Sequence, residues 1–389
     1  MLSYAHCIRE DTKRRGLLYV GTENGIYLSY NDGDNWQPLQ TNLPHAPVYW
    51  ITIQEHFNDL LVATYGRGFW IMDDISPIQQ LTPQVANSDA YLFPPRAMYR
   101  FRQITEPGQS PDDLTNGQNA PYGASINYYL KSAPTGDVKI AILDAKNEVI
   151  RTIDGTKNVG LNRVYWDLDY EASKQVRFRT SPLYAPEIPL GPEGFRTGGN
   201  RLSILAAPGT YTVRLTAGGK EFTQKLEVRK DPNSGGTEAD VADQMKMLFD
   251  IRRDMDQATD QINAIEVVRS QIYNLSRLTS DTEVKKAGDT LDKKLIEAES
   301  ELIELRLTGR GQDGVRWGSR LLGKLSYLAS GLASADFKPT DQQRDVQKDL
   351  EQKLQRIASD LDNLMSSDLG TLNTVLRRKN MPNVMAHLP

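Results

Sequence analysis

Cysteine is almost missing from this chain. Cys7 stands alone, so no internal disulfide can form and zinc sites built on cysteine pairs are excluded. Histidine is nearly as scarce: His6, His45, His56 and His387 are scattered without metal-ligand spacing, so neither a metal nor a cofactor is expected. No GxSxG stretch occurs, which removes the nucleophile elbow of a serine hydrolase. No apolar run reaches about 18 residues, so no membrane span is expected. An excess of one charge is lacking too. Lys plus Arg number 46 against 50 Asp plus Glu, a formal net charge of −4. That balance gives no electrostatic reason for a nucleic-acid partner and suits a basic partner or a neutral ligand better. The opening MLSYAHCIREDTKRRG places its charges after a short, weakly apolar start, the reverse of a secretory signal.

What is present first is a repeat. LLYVGTENGIYLSYNDG, from Leu17, and LLVATYGRGFWIMDD, from Leu60, each combine a β-rich apolar strand, a small residue with Thr, a Gly-containing tight turn and an alternating second strand. Their offset of about 42 residues lies within the span of a four-stranded propeller blade. Residues 1–80 are therefore read as about two terminal blades of a truncated β-propeller. A propeller closes with at least four blades, so the missing N-terminal blades are expected upstream of Met1. Unpaired strand edges and exposed inter-blade surface are expected on the N-terminal side, and residues 1–80 alone should aggregate or remain partly unfolded.

The segment from Ser29 to Trp36, SYNDGDNW, resembles the Asp-box, or BNR repeat: Ser, any residue, Asp, any residue, Gly, two residues, then an aromatic. Ser29, Gly33 and Trp36 match, and Asn31 stands where Asp is usual. The resemblance implies a structural turn between outer strands of a blade, with the polar side chain bonding backbone amides, Gly33 at positive φ and Trp36 packed between blades. Hydrolases carry such boxes far from their active sites, so the box does not identify an enzyme.

Residues 81–122 are dense in Pro, Gly, Asn and Asp and read as a linker, with the aromatic stretch Tyr91 to Phe101 expected to pack on a neighbour. From Ala124 come ASINYYL, VKIAILD, EVIRTI, LNRVYWDLDY, GTYTVRLTA and KEFTQKLEVR, short strands between turns. Residues 123–232 are thus expected to form an immunoglobulin-like β-sandwich without a cysteine pair. The pieces NRVYWD, from Asn162, and PGTYTV, from Pro208, resemble the Ig-like module of flagellar hook-capping proteins. That resemblance makes Trp166 a core residue and not a sugar platform. The Pro- and Gly-rich stretch 174–200 is either a binding loop or a cover for the next domain.

After Asn233-Ser234-Gly235-Gly236 the period changes from 2 to 3.6. Met247, Ile251, Met255, Ala258, Ile262 and Ile265 fall at helical spacing. Further helices are expected at Thr282 to Leu307, Gly314 to Ser334, Thr340 to Ser366 and Leu369 to Lys379, so 237–389 reads as an antiparallel helical bundle, with a dimerising coiled coil as the rival. Gly318 to Lys324 has P-loop spacing, but Leu325 replaces the required hydroxyl, no strand precedes it, and Leu321, Leu322 and Leu325 share one helical face.

The order of these parts, with REDTKRRGLLYVGTENGIYLSYNDGDNW, LLVATYGRGFWIMDD and SYLASGLASAD, resembles the C-terminal half of bacterial BNR-repeat "glycosyl hydrolase", or sortilin/Vps10-like, propeller proteins. The fold class is then multidomain β plus α. The resemblance implies an exported, extracytoplasmic protein, periplasmic or secreted, and a glycan or protein partner for the propeller. Two functions follow: a non-catalytic binding or scaffolding portion, or part of a glycoside hydrolase whose site lies mostly in missing blades. Hydrolysis needs two converging carboxyl groups. Asp73 and Asp74 are the visible candidates, but strand neighbours point to opposite faces, so one of them would supply at most half a pair. The rival reading is a blade-end turn with solvated acids. Arg67, in the turn Gly66-Arg67-Gly68, is the only arginine placed to meet a sialoside carboxylate.

Overall fold

The structure, a computed structural model, describes residues 3–102, 117, 119–307 and 313–386. Among them several β-sheets precede a helical C-terminal region. The chain divides into two compact units, Met1–Leu168 with Pro208–Asp231, and Asp169–Ala207 with Pro232–Pro389.

In the first unit β1 (Ala5–Glu10), β2 (Leu18–Thr22), β3 (Gly25–Ser29) and β4 (Gln37–Pro38) form an antiparallel sheet in sequence order. A second sheet follows from β5 (Val48–Gln54), β6 (Asp59–Thr64) and β7 (Phe69–Met72). Strand alternation turns Tyr19, Ile26 and Leu28 of the first sheet and Val48, Ile51, Leu60 and Val62 of the second into one core, closed by Ile75 and Ile78. Gly21 sits at the point of closest approach. A Cβ there would lie 2.5 Å from the Val48 carbonyl and 2.8 Å from Cys7 Sγ. Gly21→Ala is therefore expected to lower stability by about 1–3 kcal/mol through overpacking, read as a lower denaturant midpoint with unchanged slope.

Two short helices, α1 (Ser76–Gln80) and α2 (Pro83–Asn87), each start with a proline in the first turn, where a missing N–H costs nothing. Next come β8 (Ala90–Leu92), β9 (Met98–Arg100), β10 (Ala124–Leu130), β11 (Lys139–Leu143), β12 (Val149–Asp154) and β13 (Gly160–Trp166). After β14 (Val176–Phe178) and β15 (Arg196–Gly198), which belong to the second unit, the chain returns as β16 (Gly209–Ala217) and β17 (Lys220–Lys230). The sheets run β13-β10-β8 and β12-β11-β16-β17-β9. Trp166 is fully buried and meets Tyr211 of the other sheet edge-on at 5.2 Å. The stretch read as a linker is in part sheet: β8 pairs antiparallel with β10, and β9 pairs parallel with β17. Three-residue strands beside Pro94 and Pro95 carry no periodicity of their own, and both sit at sheet edges, where proline is tolerated.

The second unit is built on α3 (Glu238–Leu278), α4 (Thr282–Leu302), α5 (Asp313–Arg316), α6 (Leu321–Leu332), α7 (Asp341–Asn363) and α8 (Leu369–Arg378). A five-residue π-turn, Leu364–Asp368, joins the last two. Thr237 with Asp240, and Thr340 with Gln343, close reciprocal capping boxes. Two expected helices differ. The second stops at Leu302, not Leu307. The third is broken between α5 and α6, where Arg320 is extended and donates to Glu304 Oε2 at 3.1 Å. Leu321, Leu322 and Leu325 are buried, so the P-loop spacing is a core face.

The Pro- and Gly-rich stretch is part of this helical unit. Val176, Leu202 and Ile204 join its core. Residues 174–180 lie along α3. The Lys174 N–H donates to Asp256 at 2.6 Å and its Nζ to Asp260 at 2.5 Å; the Arg177 N–H donates to Asn263 and the Thr180 N–H to Glu266, both at 2.8 Å. Those acceptors recur at steps of four and three, one stripe of a helix.

Candidate functional site

The Asp-box turn is held by side chains bonding backbone. Ser29 Oγ accepts from the N–H groups of Asn31 (3.3 Å) and Gly33 (2.9 Å) and donates to Asn31 Oδ1 at 3.0 Å. Asn31 Oδ1 also accepts the Asn35 N–H at 3.0 Å, the contact an aspartate would make. Asp32 and Gly33 take φ of 58° and 95°, and Gly33 lies against the Trp36 ring. Ser29 Oγ and Asn31 Oδ1 are thus spent on the turn.

Asp73 and Asp74 follow β7 rather than belonging to it, so strand alternation does not govern them. Asp74 has φ of 50° and is buried, not a solvated acid. Its Oδ2 accepts from Ser125 Oγ and from Asn127 Nδ2 (3.0 Å), and its Oδ1 accepts from Ser76 Oγ (2.6 Å) and the Ser76 N–H (3.3 Å). Its own N–H donates to Asp59 Oδ1 at 2.9 Å. Arg163 donates to the carbonyls of Asp73 (2.7 Å) and Asp74 (2.6 Å) and to Asn127 Oδ1 (2.6 Å). Asp73 is half-buried. Burial first, and the Asp59 carboxylate next, raise its carboxyl above the usual range, while Arg163 and Arg96 oppose them.

Arg67 is exposed at a hairpin tip between Gly66 (φ 76°) and Gly68 (φ 73°), and its carbonyl accepts from Trp70 Nε1 at 2.9 Å. Nothing brings it to Asp73 or Asp74. His6 bonds Glu23 at 2.7 Å and His45 bonds the Asn24 carbonyl at 3.1 Å, while His387 lies outside the described residues. No group of three or more possible metal ligands converges among the described residues.

The strongest surface feature was not legible as a site. Register places Trp50, Ala63 and Phe69 in one row and Thr52, Leu61 and Ile71 in the next, on the sheet face turned away from the core. Phe69 is 88% exposed and Trp50 58%. Beside them runs an aromatic chain, Tyr4–His6–Tyr49–Tyr65, with ring centroids 5.1, 4.3 and 5.8 Å apart. Arg9 caps Trp50 at 4.3 Å. Soluble proteins seldom leave so contiguous an apolar patch uncovered.

The second unit hides a charge cluster. Arg269 Nη1 donates to Glu266 at 2.8 Å and Glu299 at 2.7 Å, and its Nε donates to Asp292 at 3.0 Å. Both glutamates are fully buried. Glu266 also accepts from the Thr180 hydroxyl at 2.8 Å and from the Arg179 N–H, so the cluster fastens stretch 174–180 to α3. Glu299 Oε1 is buried without a partner among the described residues. Burial, then Glu266, raise the Glu299 carboxyl to about 8. Above it a cleft of about 550 Å³ is lined by Arg269, Tyr273, Asn274, Asp289, Asp292 and Leu183. A sequence signal existed: Glu299 occupies the Leu291, Leu295, Leu302 stripe, and Glu266 and Arg269 stand beside Ile265 and Val268.

No family model matches the chain, and no curated protein matches it. Among solved structures it is similar to the extracellular domain of a one component system, BT4673, from B. thetaiotaomicron, at 12% identity and TM-score 0.16, covering 59% of this chain and 25% of that one. It is likewise similar to the extracellular domain of the hybrid two component system BT4673 from B. thetaiotaomicron, at 13% identity and TM-score 0.16, covering 59% and 26%. The chain thus spans about a quarter of the length of those structures. At that TM-score the likeness carries no argument about fold or activity. No helix among the described residues is long and apolar enough to cross a membrane.

Proposed function

We propose that this chain is the non-catalytic C-terminal portion of an exported BNR-repeat propeller protein, with a binding or scaffolding role. The observation that carries the reading is the uncovered outer face of the β5–β7 sheet, with Trp50, Phe69 and Ile71 presented in register. The inner face of that sheet is already covered by the preceding sheet through a shared core. A repeat that stacks sheet on sheet supplies the same cover for the outer face, so its occupant is a further blade. The Asp-box bonding of Ser29 and Asn31 supports the same repeat. The flanking β-sandwich, of the Ig-like kind, and the helical bundle are the scaffolding, and export rests on the resemblance.

A glycoside hydrolase is less favoured. Asp73 has an open carboxyl of raised pKa, but both oxygens of Asp74 are engaged, and Asp59 is held by Arg96 at 3.4 Å and the Asp74 N–H.

With that face bare, the chain alone should self-associate in sedimentation velocity. Phe69→Asp with Ile71→Asp should return it to a monomer with unchanged far-UV circular dichroism. A wild-type chain that stays monomeric as its concentration rises sinks the reading.

A further inference from the structure

A cleft of about 500 Å³ opens in the first unit between the β1–β2 connection, the β5–β6 turn, α1 and the stretch around Pro94. Its volume is that of a small-molecule site. Four cationic side chains line it, Lys13, Arg14, Arg96 and Arg229, and among the described residues no acidic side chain does. In a chain of net charge −4 that concentration of one sign is local and specific.

Carboxylates just outside the lining neutralise only part of it. Arg96 meets Asp59 at 3.4 Å and Arg229 meets Glu227 at 2.7 Å. Asp11 spends its oxygens on the N–H groups of Lys13 and Arg14 (2.8 Å each), the Tyr19 hydroxyl (3.1 Å) and Gln79 (2.9 Å). Among the described residues no carboxylate forms an ion pair with the Lys13 or Arg14 side chain.

The guanidinium groups are also preset. Arg14 Nη1 donates to the carbonyls of Leu81 (2.8 Å) and Gln79 (3.1 Å), and the side chain lies over Tyr30 at 4.7 Å. Arg96 donates to the Phe57 carbonyl and lies 5.7 Å over the Phe57 ring. Fixed forks lose little entropy when they engage an anion.

The rings of the cleft are not stacking platforms. Tyr99 is sandwiched between His56 (5.9 Å, 24°) and Phe101 (5.5 Å, 21°), and Phe57 has one face under Arg96 and His56 edge-on at 4.6 Å. That leaves a nucleobase little ring surface to stack on. The half-buried Gln80 amide suits a hydroxyl group instead, whereas Asn58 is buried and spends its amide on Gln79.

We propose that this cleft binds an acidic oligosaccharide, with a carboxylate or sulfate seated on Lys13 and Arg14 and a neighbouring hydroxyl on the Gln80 side chain. The site lies within the first unit and requires no further blade, so it stands or falls apart from the propeller reading.

Calorimetric titration of the whole chain tests it, with oligogalacturonate, a heparin oligosaccharide, fully methyl-esterified oligogalacturonate, inorganic sulfate and ATP as probes. At least one acidic oligosaccharide should bind, about tenfold or more tighter than the neutral ester, and affinity should fall as salt rises. The tighter of the two acidic sugars identifies carboxylate or sulfate as the anion. Lys13→Glu and Arg229→Gln, both at exposed positions, should each weaken binding about tenfold with an unchanged melting temperature. Equal binding of ester and acid, sulfate or ATP matching the sugars, no binding at all, or a Lys13→Glu chain of wild-type affinity would each overturn the proposal.

Discussion

Arg269→Met should destabilise the helical unit by about 3–5 kcal/mol, the cost of removing one partner from a buried ion cluster. Among the described residues Arg269 is the only cation ion-paired with Glu266 and Glu299, and both glutamates are fully buried. Without it, Glu266 still holds the Thr180 N–H and hydroxyl but faces Glu299 with no positive charge between them. Adding Glu299→Leu to Arg269→Met should recover much of the loss, because an apolar core of similar volume needs no compensation. Urea titrations followed at the helical circular dichroism band measure both. The pH dependence carries its own sign. Burial raises Glu299 from an ordinary 4.5 to about 8, so the folded state holds this proton more tightly than the unfolded chain. Its contribution to stability is fully present below pH 4.5, shrinks as pH climbs, and is gone above about pH 8. Glu299→Gln should flatten that decline. A wild-type chain whose helical unit gains stability between those two pH values would refute the assignment.

What could be read in advance divides along a physical line. The hairpins of residues 17–29 and 59–72, the six first-unit strands β10 to β13, β16 and β17, and the stripe from Met247 to Ile265 repeat a local pattern often enough to show their period. β8 and β9, three residues each, exist because longer strands elsewhere offer them an edge, and local sequence cannot report that. The stretch 174–200 looks like a loop of the sandwich because its neighbours in sequence are strands. Its hydrogen-bond partners are on a helix some 80 residues further on, such as Asp260, 86 positions from Lys174. Strand alternation sets Asp73 and Asp74 on opposite faces, but Asp74 sits in the left-handed region just after the strand ends, and that turn carries its side chain into buried polar contacts. Glu299 was legible as a break in an apolar stripe. A lone charge at such a position is usually solvated, and only the fold reveals that Arg269 and Glu266 converge on it.

Asp73 and Asp74 should respond to substitution in opposite directions. Asp74→Ala strips the acceptors from Ser125, Asn127 and Ser76 and forces alanine into φ near 50°. Unpaired buried donors cost about 1–3 kcal/mol each, and the left-handed backbone adds about 1 kcal/mol for a residue with no local hydrogen bond to offset it. The first unit should lose about 4 kcal/mol in all. Asp74→Asn keeps a carbonyl oxygen for part of this network and tolerates the left-handed region, so its loss should be about half as large. Asp73 differs because its carboxyl is raised by burial and by Asp59. A carboxyl raised on folding contributes least above its folded pKa, and a neutral isostere escapes that penalty. Asp73→Asn should therefore melt at or slightly above the wild-type temperature at neutral pH. Tryptophan fluorescence separates these outcomes, since Trp36, Trp50, Trp70 and Trp166 lie in the first unit and only Trp317 in the second. Equal loss at both positions would mean that the Arg163 clamp on the two carbonyls, and not the Asp74 side chain, holds this junction. An Asp74→Ala chain that melts with the wild type would free the carboxylate for a role in chemistry that its hydrogen bonds now deny it.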